Sequence, residues 1–166
     1  MTSLKKFFFI PLCALLCASC SDDDIWSVDF HLENAAGTVT DEFRQGESIM
    51  FVLTTTNMGD EAAELPVSDG DILGDQLFSV YDAAGNYVGK PYSSYADTEI
   101  LLNHIAPGGT RSWRVEWTFS DTGTRAYEFQ GDVAASPLPA GRYFSRFPIR
   151  VGGKTVMCQT GFSVVP

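Results

Sequence analysis

Few residues in this chain are of a type and spacing that could do chemistry. His31 and His104 are its two histidines, and four cysteines complete the set of soft ligands and nucleophiles. Hydrolysis by a nucleophile needs a serine on a sharp elbow or a cysteine beside a base. No Gly-x-Ser-x-Gly occurs, His31 falls on a strand pattern, and His104 stands just before the turn at Pro107, as a loop residue. Cys158 lies on an apolar alternation far from either histidine, which marks it as a small core residue and not a nucleophile. The densest carboxylate run is Asp69-Gly70-Asp71-Ile72-Leu73-Gly74-Asp75. It fills the first, third and sixth positions of a calcium loop. Leu73 at the fifth and Val80 at the twelfth supply no side-chain oxygen, so an acidic turn between strands is the simpler reading. Gly108-Gly109 precedes a strand and not a helix, so it forms no phosphate cradle. The expectation is a protein that is not an enzyme and holds no metal or cofactor.

Recognition remains. Tyr92 and Tyr95 lie in the segment 91–97, a candidate binding loop for a glycan or a protein. The same rings folded over the edge of the core would only pack. Thr122 to Tyr127, with Arg125, is a second polar, Gly-containing loop. Trp26, near the start of the mature chain, is expected to be exposed, whereas Trp113 and Trp117 share a face with Val115 and Phe119 and belong in the core.

The composition bounds these readings. The chain has 166 residues, 45% hydrophobic, 13% aromatic and 19% charged, within the globular range. Its formal charge is −10, from 11 basic and 21 acidic residues. Setting aside Lys5 and Lys6 leaves 9 basic against 21 acidic residues, a net of −12. Such a surface repels phosphate backbones and places nucleic acid last among partners.

Lys5-Lys6 and the ten-residue apolar run Phe7 to Leu16 have the layout of an export signal, and the run is too short to span a bilayer. Cys17-Ala18-Ser19-Cys20 follows, then Ser21 and Asp22-Asp23-Asp24. Small residues before a cysteine resemble the lipobox of bacterial lipoproteins, in which that cysteine is acylated, here Cys20, with palmitate among its chains. Cys17 stands where the family usually has Leu, and Leu16 is one step earlier. An ordinary secretory signal cut after Ser19 gives Cys20 no role. The resemblance implies a signal peptide over 1–19, a lipidated Cys20 with an acidic tether over 20–24, and a folded domain over 25–166. It implies a bacterial cell-envelope protein held to the outer membrane by lipid, and the Ser-Asp-Asp-Asp run resembles signals of surface-exposed lipoproteins. Cys158 is then without a disulfide partner.

The elements that would position any site read as strands. Trp26, Val28, Phe30 and Leu32 alternate with polar neighbours, as do Ile49, Phe51 and Leu53 before Asn57. Leu77 to Tyr81 runs into the turn Asp82 to Asn86, and Tyr87-Val88 starts the return strand. Trp113 to Phe119, Tyr143 to Ile149 and Val156 to Val164 complete the pattern, with Gly152-Gly153 as a hairpin turn. The best helical candidate, Thr98 to Ile105, is short. About seven strands predict one all-β domain, an immunoglobulin-like antiparallel β-sandwich with Greek-key connections, a closed barrel being the alternative. Leu138-Pro139-Ala140-Gly141-Arg142-Tyr143 resembles the tyrosine corner of such sandwiches, framed by Leu138, Gly141 and Tyr143. A plain turn before a buried tyrosine is the other reading.

The order of segments carries a wider resemblance. A strand from Glu47 ends at Asn57, followed by Gln76 to Asp82 with Gly85, Ile105-Ala106-Pro107-Gly108, the Trp117 strand and Pro139-Ala140-Gly141-Arg142-Tyr143. This succession is similar to the intracellular proteinase inhibitor family (BsuPI-like domains), over roughly Glu47 to Val151. The resemblance implies an immunoglobulin-like sandwich and, as an alternative to a general binding module, a proteinase inhibitor acting in the envelope. The export leader departs from an intracellular family.

Overall fold

A computed structural model of the chain describes residues 25–66, 76–92, 94–95, 102–117, 129–130 and 137–166. Cys20 with its leader and tether, the Asp69–Asp75 run and the Thr122–Tyr127 loop lie outside the described residues. The fold is all-β. Among the described residues there are twelve strands and no helix: β1 (Trp26–Glu33), β2 (Glu42–Arg44), β3 (Ile49–Asn57), β4 (Ala63–Pro66), β5 (Val80–Asp82), β6 (Tyr87–Gly89), β7 (Ser94–Tyr95), β8 (Leu102–Ile105), β9 (Thr110–Trp117), β10 (Phe129–Gln130), β11 (Gly141–Val151) and β12 (Lys154–Val165). The excess over about seven comes from strands of two to four residues, too short to show an alternation in the sequence. One of them corrects the helical candidate, because Leu102–Ile105 pairs with β4, opposite Ala63–Pro66.

Two sheets make the body. β1, β3 and β9 form an antiparallel three-stranded sheet with β3 central, and β2, β12, β11, β5 and β6 form a five-stranded one in that order. β4 with β8, and β7 with β10, form two-stranded pairs. One pairing departs from an antiparallel arrangement: β2 runs parallel to β12, with Ser163 opposite Glu42. β2 is an edge strand remote in sequence from β12 and joined to it by no hairpin, so nothing forces the pair antiparallel.

The long β11–β12 hairpin turns on Gly152 and Gly153, at φ 58° and 76°, the doubly positive geometry a two-residue turn of this twist demands. Pro148 sits inside β11 without disrupting it. The N–H of Arg146 bonds Ser79 O on the β5 side at 3.0 Å, so by alternation the missing N–H of Pro148 faces the same side, beyond the end of β5. The expected strand from Leu77 shifts: Gln76 to Phe78 is a turn, closed by Ser79 N to Gln76 O at 3.0 Å, and pairing starts at Val80.

Residues from both sheets share one apolar core, including Leu32, Phe51, Leu53, Trp113 and Val115 from the first, and Val80, Phe147, Ile149, Phe162 and Val164 from the second. Phe30 of β1 meets Phe147 of β11 edge-on, with ring centroids 4.8 Å apart, which ties the two sheets together. Trp113 and Trp117 are buried. Trp26 is buried too, against the expectation of exposure. It shares the inward parity of Phe30 and Leu32, and a Cβ at Gly152 would come within 3.0 Å of its ring, so the glycine turn leaves room for the indole.

Candidate functional site

The outward faces of the two sheets carry the polar and aromatic residues that the core leaves over. On β1, the odd residues Asp29, His31 and Glu33 point away from the core, and the register sets His31 and Arg114 on either side of Val52. His31 Nδ1 lies 2.6 Å from Asp29 Oδ2, and Nε2 lies 3.1 Å from Glu33 Oε1. Arg114 donates through Nη1 to Glu33 Oε1 at 3.3 Å and through Nη2 to Glu33 Oε2. Both imidazole nitrogens are therefore occupied by carboxylates, and neither is turned to a hydroxyl or thiol as a general base would be. The cluster is an ion network on a sheet surface.

The Arg114 hydrogen bond holds the Glu33 carboxyl below its ordinary value, opposed by burial and assisted by the bond from His31. A carboxyl with a depressed folded pKa adds stability above its unfolded value and loses it as pH falls through the folded one. Denaturant melts taken from pH 7 down to pH 3 should therefore show an acid-side loss of stability that Glu33→Gln flattens, with the variant already weaker at neutral pH. Parallel curves for the two proteins would refute the assignment.

His104 is on β8 and not in a loop, exposed, with Nε2 3.4 Å from Glu64 Oε1 on the paired strand. Cys158 is buried, and burial, with the Asp29 charge second, pushes its thiol up to about 12. It stays a thiol at any ordinary pH. Among the described residues no group of three His, Cys, Asp or Glu side chains is placed to hold a metal ion.

The tyrosine loop is corrected in part. Tyr92 is only 3% exposed and belongs to the core, with Lys90 Nζ 4.6 Å from its ring centroid. After the edge strand β6, the buried Pro91 and Tyr92 turn back over the core, where the ring removes more apolar area from water than a loop position would. Tyr95 is placed by its backbone on β7, opposite Phe129. In the Leu138–Tyr143 segment, Leu138 is buried and the Tyr143 hydroxyl donates to Pro139 O at 2.8 Å. Burial raises the Tyr143 phenol above its ordinary value, and the neighbouring Asp82 adds to the shift.

An aromatic site lies elsewhere, on the outward face of the five-stranded sheet. One row across four strands reads Tyr87 (β6), Tyr81 (β5), Phe144 (β11) and Gly161 (β12), each opposite the next in register. Tyr81 stacks on Phe144 with centroids 5.4 Å apart and planes 16° apart, and Tyr87 meets Tyr81 edge-on at 5.8 Å. Tyr87 is 58% exposed. At the usual strand spacing the row is about 14 Å wide. Desolvation, with Tyr81 beside it, raises the Tyr87 phenol, so its hydroxyl stays a neutral donor and acceptor. Asp82 shapes the adjoining turn: its carboxylate accepts from Ala84 N, Asn86 N and Asn86 Nδ2, each at 2.9 Å, which pulls its pKa down and fixes Tyr87 at the start of β6. Tyr81 and Tyr87, on three-residue strands, and Phe144, on β11, could have been found as outward-parity aromatics. Reading them so requires the register of β5 against β11, which no local pattern supplies.

No protein-family model, no curated protein and no solved structure matches this chain.

Proposed function

We propose that this protein is a non-enzymatic cell-envelope module, anchored through lipid on Cys20 and built as a single immunoglobulin-like β-sandwich, that binds a glycan or protein partner through its aromatic sheet face. The observation carrying the binding role is the outward-facing row Tyr87–Tyr81–Phe144, in which Tyr87 is exposed and Tyr81 and Phe144 are half-buried against one another, on the side of the sheet away from the core. The sandwich reading draws on two sheets around one core, on a chain that passes from β1 to β2 and back to β3 between those sheets, and on the Tyr143–Pro139 bond of a corner. The anchor reading draws on the lipobox resemblance. Immobilised glycans and envelope proteins should retain the protein, and Tyr81→Ala with Tyr87→Ala should cut that retention at least tenfold. Retention indifferent to both substitutions would refute the face. Palmitate incorporation should vanish in Cys20→Ser, and labelling that persists would refute the anchor. Stoichiometric, saturable inhibition in a protease panel would move the assignment to a proteinase inhibitor of the BsuPI-like type.

A further inference from the structure

The aromatic row does not stand on neutral ground. Alternation along β11 sends Arg142, Phe144, Arg146 and Arg150 to the same outward face, and the parallel pairing of β2 with β12 adds Arg44 and Glu42. Among the described residues, Arg44, Arg142, Arg146 and Arg150, four of the nine basic residues beyond Lys6, therefore share one sheet face with Glu42, in a chain whose net charge past the leader is −12. Arg142 and Arg146 flank Phe144 two residues away on either side, about 7 Å along the strand. Both are exposed, and among the described residues neither has a carboxylate within ion-pair reach. Charge on an acidic protein is normally interspersed. A predominantly positive strip on one face is an electrostatic footprint for an anion.

Gly161 completes the surface. It lies opposite Phe144, and a Cβ built there would meet only Tyr143 O, at 3.8 Å. No φ in the left-handed region and no internal contact requires a glycine at this strand position. It leaves bare backbone beside the rings, the shape a flat ligand needs to reach them.

Resting on the binding face proposed above, we infer that its ligand is an anionic polysaccharide, whose rings lie on Tyr81, Tyr87 and Phe144 while its carboxylates or sulfates pair with Arg142 and Arg146. A planar guanidinium matches either anion with two parallel hydrogen bonds. The aromatic row supplies contact for the apolar faces of the sugar, and Gln159, opposite Arg146, adds a neutral hydrogen-bonding group.

Binding of the purified protein to polygalacturonate and to dextran sulfate, against methyl-esterified polygalacturonate and plain dextran, tests this. The expected result is retention by at least one charged polymer, at least tenfold above its neutral counterpart and falling with added salt. Which polymer is retained separates carboxylate from sulfate recognition. Arg142→Gln with Arg146→Gln should remove the preference. Gly161→Val, which suits a strand and whose Cβ would meet only Tyr143 O at 3.8 Å, should remove binding while the protein still melts cooperatively. Equal retention of charged and neutral polymers, lost in Tyr87→Ala, would overturn the anionic assignment while leaving the binding face in place. Charged-polymer retention unaffected by Gly161→Val and Tyr87→Ala would overturn both.

Discussion

Phe78→Ala should destabilise the protein by about 3–5 kcal/mol, and Phe78→Gly should cost about 1 kcal/mol less. Phe78 has no exposed surface and lies in the turn before β5, outside any strand. Its ring sits 5.6 Å from Phe51, 5.7 Å from Phe30 and 5.3 Å from Phe147, so it touches aromatics of both main sheets. Removing it opens a cavity where the sheets meet, and backbone held in the long β1–β3 and β11–β12 pairings cannot collapse to fill it. The inverted order of Ala and Gly follows from the backbone. Phe78 has φ 57°, the only positive value among the described non-glycine residues. An alanine there pays the left-handed penalty without the ring that compensates it, whereas glycine does not. Urea unfolding of the three proteins decides the matter. A Gly variant less stable than Ala would refute the claim of backbone strain, and losses under 1 kcal/mol would refute the central place of the ring.

The second large effect is expected at Asn57, where Asn57→Asp should cost about 3–5 kcal/mol at neutral pH. Asn57 ends β3 and is fully buried. Its Nδ2 donates to Ile105 O and to Glu61 O, both at 2.8 Å, and its Oδ1 accepts from Gly59 N at 2.9 Å. Its backbone N–H donates to Gly109 O at 3.0 Å and its carbonyl accepts from Gly108 N at 2.8 Å. Asn57 thus joins the end of β3 through its backbone to the turn before β9, and through its side chain to the end of β8 and to the loop toward β4. Aspartate has the same shape but turns an acceptor toward two carbonyl oxygens and adds a buried charge. Burial would raise that carboxyl above an ordinary aspartate, near 3.9. The deficit should shrink as pH falls through the raised folded value and level off below the unfolded one, where both chains hold the proton. Asn57→Ala strands Gly59 N as well as the two carbonyls but adds no buried charge, so it should lose less than Asp at pH 7. Thermal melts of both variants at pH 7 and pH 4 check the order, and an Asp deficit independent of pH would refute it.

These two residues show where the sequence is legible and where it is not. The inward alternations on β1, β3, β9 and β12 could be read directly, because a half-buried strand writes its burial with a period of two. The Gly152-Gly153 hairpin and the Asp82–Asn86 turn were equally plain, since few residues tolerate their backbone angles. Asn57 stood out as a strand end and nothing more. Its partners at Gly59, Glu61 and Ile105 span both near and distant sequence, and a buried amide is recognised only by what it bonds. Phe78 looked like part of a strand because an apolar run does not record φ.

Composition and local pattern alone settled the all-β class, the core tryptophans Trp113 and Trp117 and the acidic charge. These depend on residue type and on neighbours one or two positions away. Tertiary structure decided the burial of Trp26 and Tyr92, the parallel seating of β2 on β12, and the meeting of Tyr81, Tyr87 and Phe144 beside Arg142 and Arg146. Each of those depends on which strands become neighbours and in what register. That choice is made by long-range pairing, where shifting a strand by one residue would turn every one of its side chains to the other face.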